Sequence, residues 1–91
     1  MFSYFLTIEA EDDVIRIFEY GIGQFGLNQA QKYYDNLFDT FEVIASNPYM
    51  FPVVDNYKNV ERFCVCGVDT IYFNIKGNEI EIVTIIGRQD F

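Results

Sequence analysis

With 91 residues, 51% of them hydrophobic, and ten Phe and seven Tyr but no Trp, the chain can build one small core filled largely by rings and is too apolar to remain disordered. Fourteen acidic against six basic residues leave a formal net charge of −8, which argues against the clustered cations that nucleic-acid and anionic-membrane binders need. Histidine is absent, so proton transfer near neutral pH lacks its ordinary carrier.

The opening "MFSYFLTIEAEDD" has no basic segment and turns acidic after a short apolar part, so it reads as a first strand of a cytoplasmic protein rather than as a signal peptide. Thr7 stands where a helix cap belongs. From Glu9 onward Ala10, Val14, Ile17, Phe18 and Gly21 recur at helical spacing, with Glu9, Glu11, Asp12, Asp13, Arg16 and Glu19 mainly on the other faces. Gly21, Gly23 and Gly26 are expected to stop that helix, and Asn28 with Gln31 to cap a second one. The second helix has a broad apolar face of Ala30, Tyr33, Tyr34, Leu37, Phe38, Phe41, Ile44 and Ala45, so the two should pack as a hairpin.

"SNPYMFPVVDNYKN" carries both prolines and reads as an extended loop. Three strand-like runs follow, Val60 to Cys66, Thr70 to Lys76 and Glu79 to Ile86, the last two separated by Gly77-Asn78 in the manner of a type II′ hairpin. The fold class is therefore α+β, a β-α-α-β-β-β order in which an antiparallel sheet packs against an N-terminal helical hairpin, all within one domain over residues 1–91. No segment reaches the roughly 20 apolar residues of a membrane span.

Candidate chemistry is sparse. "GIGQFG" has the G-x-G-x-x-G spacing, but the dinucleotide motif must follow a strand and open a helix, whereas these glycines follow a helix. Cys64 and Cys66 share one strand face and read as small, reduced core residues, since two thiolates with no histidine make no complete metal site. Glu79 and Glu81 alternate with Ile80 and Ile82 as the solvated face of a half-buried strand does. Arg62 and Arg88 flank the sheet. Each is either a surface charge paired with Glu61 or Asp90, or an anchor for a carboxylate, phosphate or ring.

Taken together, "AEDDVIRIFEYGIGQFGLNQAQKYYDNLFDTFEVIASNP", "ERF", "GVDTIYFNI" and the closing "EIVTIIGRQDF" resemble the RelE/ParE superfamily of type II toxin-antitoxin systems, and specifically its ParE branch. Where that branch often has Gly-Ser-His before the central strand, this chain has Gly67, Val68 and Asp69. The resemblance implies the β-α-α-β-β-β fold and one of two activities. ParE-like members act on DNA gyrase, serving growth inhibition and plasmid stabilisation, and RelE-like members cut messenger RNA in the ribosome. Both are silenced by a cognate antitoxin.

Cleavage in the RelE manner relies on basic residues and a late Tyr or His. Arg62 and Arg88 match the basic positions, but the loop before Arg62 adds only Lys58 and no histidine exists. The expectation is a ParE-like toxin that inhibits DNA gyrase by protein binding, with no catalytic residue, cofactor or metal, and no direct contact with nucleic acid or membrane. Its partner would be a ParD-like antitoxin presenting an amphipathic helix or added strand joined to a basic stretch. Arg62, Tyr72, Arg88, Gln89, Asp90 and Phe91 are the candidate target- or partner-binding residues. The alternatives are a RelE-like ribosome-dependent endoribonuclease and a non-toxic module that binds antitoxin but has lost the target surface.

Overall fold

A computed structural model describes residues 2–55 and 59–87. Along the chain these form β1 (Ser3–Leu6), α1 (Ile8–Phe25), α2 (Leu27–Ser46), a single 3-10 turn at Pro48–Met50, and then β2 (Arg62–Cys66), β3 (Asp69–Lys76) and β4 (Glu79–Gly87). The element order is the one the periodicities predict.

Thr7 caps α1 through its hydroxyl, which accepts the Ala10 N–H at 3.1 Å. The three-glycine stop is corrected, because α1 runs through Gly21 and Gly23 and ends only at Gly26, whose φ of 86° is the left-handed step that turns the chain. Gly21 is a contact point instead: a Cβ there would lie 3.3 Å from the Ala30 Cβ on α2. A Cβ at Gly23 would meet nothing within 4 Å. Gly23→Ala should therefore stabilise the protein by about 0.5–1 kcal/mol, the ordinary helix-interior difference between these residues, read as a raised denaturation midpoint.

The Asn28–Gln31 cap is also not used. Gly26 occupies the N-cap position of α2 without a side-chain bond, and Gln31 Nε2 donates to Asp35 Oδ1 at 2.9 Å. The one-residue hinge starts α2 at Leu27, earlier along the chain than a cap at Asn28 would allow.

The strands lie in the order β1-β4-β3-β2. β2–β3 and β3–β4 are antiparallel, joined by Gly67-Val68 and Gly77-Asn78, and each connection has its glycine first at φ 60°, as type II′ turns require. The expected all-antiparallel sheet needs one correction, since β1 pairs parallel to β4, with Ser3 opposite Glu79 and Leu6 opposite Ile82. Two hairpins force alternation among β2, β3 and β4. β1 is instead joined to the sheet by the helical crossover, which permits a parallel neighbour.

Residues of alternate parity face the helices. Phe73, Ile71, Ile80, Ile82 and Ile85 on the sheet meet Leu37, Phe41 and Ile44 on α2, all fully buried. A run of ring contacts, Phe18–Tyr34–Phe38–Phe41–Tyr4, with centroids 4.8–5.5 Å apart, ties α1 through α2 to β1. Cys64 and Cys66 are buried and unoxidised, as their shared face implies. Glu81 stays on the opposite face, where it meets Lys76 Nζ at 3.2 Å and Asn74 Nδ2 at 3.1 Å.

Candidate functional site

The sequence-derived site residues do not form one patch. Arg62 pairs with the buried Phe73 in the β2–β3 register and therefore lies on the helix side of the sheet, at its rim. Its Nη1 donates to the Phe51 carbonyl at 2.7 Å and its guanidinium sits 5.3 Å from the centre of the Tyr49 ring. The Glu61 carboxylate, one candidate partner for Arg62, instead accepts the Ile75 N–H at 2.7 Å. Tyr72 pairs with Phe63 on the opposite, outer face, their ring centres 6.4 Å apart. Arg88, Gln89, Asp90 and Phe91 lie outside the described residues.

A wide concavity lies elsewhere. A groove of about 810 Å³ runs between β1 and the helical hairpin. Its floor is apolar, with Leu6, Val14, Phe18, Ile22, Tyr34 and Phe38 among its lining, while Glu11, Asp12 and Glu19 stand along it. Burial first, and then the Glu42 carboxylate, hold the Tyr4 phenol in this groove above its ordinary pKa.

Beside the core-facing Ala10–Val14–Ile17 stripe, and outside the apolar spacing that marks it, stand Ile8, Ile15 and Ile22. These are spaced seven apart on a second stripe of α1 and remain 78%, 56% and 39% exposed. That heptad spacing was the available signal, since an apolar row beside the core-facing one is what a second contact needs.

β1 stands at one end of the sheet order, so among the described residues one of its edges has no strand neighbour. Ser3 and Thr7 give their N–H groups to Asn78 and Ile82 of the β4 side, and by alternation Tyr4 and Leu6 direct theirs outward. The groove thus lies beside an open strand edge, the kind of surface to which a further strand can add.

Beyond Leu6 the sheet edge is closed by a device on α1. At Thr7 the strand ends, its Oγ1 donating to the Val83 carbonyl at 2.8 Å, and Val83 is the residue skipped where the β3–β4 register slips. Past this bulge Asp13 Oδ2 accepts the Ile85 N–H at 2.9 Å and the Thr84 hydroxyl at 3.0 Å. Arg16 Nη2 donates to the Ile85 carbonyl at 3.2 Å and lies 3.3 Å from Asp13 Oδ1. One carboxylate and one guanidinium therefore supply β4 with the acceptor and donor that a neighbouring strand would.

The far end of the sheet is locked to α2. The Tyr33 hydroxyl lies 2.5 Å from Asp69 Oδ2 and 2.6 Å from the Cys66 carbonyl, and Asp69 is only 1% exposed. Burial, followed by the bond to Asp69, pushes the Tyr33 phenol far above its ordinary pKa. Gly67, at φ 60°, gives this ring its room, because a Cβ there would fall 2.7 Å from Tyr33 Cε1.

Among known proteins, the family model described as "ParE toxin of type II toxin-antitoxin system, parDE" matches residues 4–90. Toxin ParE1 of Caulobacter vibrioides is 29% identical over 86 residues, which cover 94% of this chain and 88% of that protein. A solved structure from the chromosomal ParDE TA system of P. aeruginosa superposes with a TM-score of 0.83 at 20% identity and covers 96% of both chains, a likeness of fold. No helix among the described residues is long and apolar enough to cross a membrane.

Proposed function

The chain belongs to the ParE toxin family of type II toxin-antitoxin systems, and on that footing we propose that it is a cytoplasmic toxin that inhibits DNA gyrase by protein contact and is neutralised by a ParD-like antitoxin. The observation that carries the neutralisation is the apolar groove beside the open β1 edge, which offers a flexible partner segment both an apolar floor and a strand edge. A protein target rather than an RNA substrate is favoured by the −8 charge and by the engagement of Arg62 with Phe51 and Tyr49. We assign the target contact to the outer sheet face around Tyr72 and to Arg88, Gln89, Asp90 and Phe91, with Arg62 supporting the Pro48–Met50 turn from the other face.

The test uses the exposed groove positions. Expressed alone, the protein should arrest growth, and the purified toxin should inhibit gyrase supercoiling without cutting transcripts in a translation extract. The double variant Ile15→Asp, Ile22→Asp should stay toxic yet escape rescue by the cognate antitoxin. Full rescue at equal expression would remove the groove from the antitoxin site. Unimpaired supercoiling with excess toxin, or cleaved message, would remove gyrase as the target.

A further inference from the structure

We infer that the groove is built for a cationic segment, one whose apolar residues meet the floor while its Lys or Arg side chains meet Glu11, Asp12 and Glu19. This deepens the antitoxin reading above and rests on it. Charge carries the inference. Among the described residues no Lys or Arg lines the groove, and the three charged ones that do are acidic.

The described cations are committed or distant. Arg16 holds Asp13 and the Ile85 carbonyl, Lys76 meets Glu81, and Arg62 is bound at Phe51. Lys32 lies on α2 but does not line the groove. Glu11, Asp12 and Glu19 are all exposed, and Glu42 adds to the same negative field at Tyr4.

An acidic partner segment entering here would meet like charge in a site with an apolar floor, where solvent screening is weaker than on an open surface. A basic one gains attraction at the rim while it covers the floor. Because β1 leaves an edge open, an extended backbone suits the site, with alternate residues pointing inward.

The experiment uses the intact protein and two synthetic probes, a short peptide alternating leucine with lysine and its twin with glutamate at every lysine. The lysine peptide should bind the wild type and weaken as salt rises, and the glutamate peptide should not bind measurably. Glu11→Lys, Glu19→Lys should weaken the lysine peptide about tenfold, the sum expected when two exposed ion pairs become repulsions. Asp35→Lys, Asp39→Lys, with the same change in net charge away from the groove, should leave the affinity within about twofold if the groove charges, not the net charge, are responsible.

Loss of lysine-peptide binding in Ile15→Asp, Ile22→Asp as well would complete the support. Preferential binding of the glutamate peptide, abolished by the same floor variant, would overturn the cationic assignment and leave the groove reading standing. Binding of either peptide that ignores the floor variant would overturn both.

Discussion

Asp13→Ala is expected to destabilise the protein by about 3 kcal/mol, roughly the loss of two hydrogen bonds to a charged acceptor. The carboxylate accepts from the Ile85 N–H and the Thr84 hydroxyl, and Thr84 is only 3% exposed, so both donors lose their partner at a site that water reaches poorly. Arg16 loses the 3.3 Å contact that aligns it with the Ile85 carbonyl. Asp13→Asn keeps one carbonyl oxygen and should cost about half as much, because it removes the charge but not the acceptor.

A second readout separates this device from an ordinary surface pair. With the Asp13–Arg16 cover gone, the end of β4 presents unpaired backbone groups, and the variant should associate in a concentration-dependent way below its melting temperature. An Asp13→Ala protein that melts like the wild type and stays monomeric would show that the clamp contributes nothing.

Gly67→Ala should be comparably severe, about 3 kcal/mol. Roughly 1–2 kcal/mol comes from holding an alanine at a left-handed φ, and the rest from driving the Tyr33 ring away from the buried Asp69. Tyr33→Phe isolates the second part, since it removes the hydroxyl and leaves the backbone alone.

The pH dependence gives an independent signature. Tyr33 has a folded-state pKa raised above the ordinary tyrosine value of 10.0, so below that pH both folded and unfolded forms hold the proton. As pH rises past 10 the unfolded chain releases it and the folded chain does not, so stability falls. Wild-type denaturation midpoints should therefore drop more steeply between about pH 9.5 and 11 than those of Tyr33→Phe, with Tyr4 and the Cys64 thiol, both raised by burial, supplying the slope that remains. Parallel slopes for the two proteins would contradict the Tyr33–Asp69 bond as an element of stability.

The elements and their order were legible along the chain because their causes are local. Thr7 caps the helix that its position predicts, Gly77-Asn78 makes the hairpin its chemistry requires, and Ile80 and Ile82 alternate inward. The misreadings share one kind of cause. Gly21 and Gly23 looked like helix breakers because glycine lowers helix propensity, but at Gly21 the nearness of Ala30 makes its missing side chain useful, a fact that lies on another helix. Asp13 and Arg16 stand off the apolar face of α1, and their pairing could not be read along the helix because their partner is the backbone of Ile85, some seventy residues away in sequence.

By itself the amino-acid order determined the β-α-α-β-β-β plan, the core faces and the acidic character that disfavours a phosphate-binding role, since spacing, turn residues and net charge are properties of neighbours and sums. Only the tertiary structure decided that β1 runs parallel to β4, that Arg62 and Tyr72 stand on opposite faces of the sheet, and that an acid-lined apolar groove opens beside a free strand edge. Each of these depends on which distant segments lie side by side. That choice is made by packing the whole chain at once, and no window of sequence contains it.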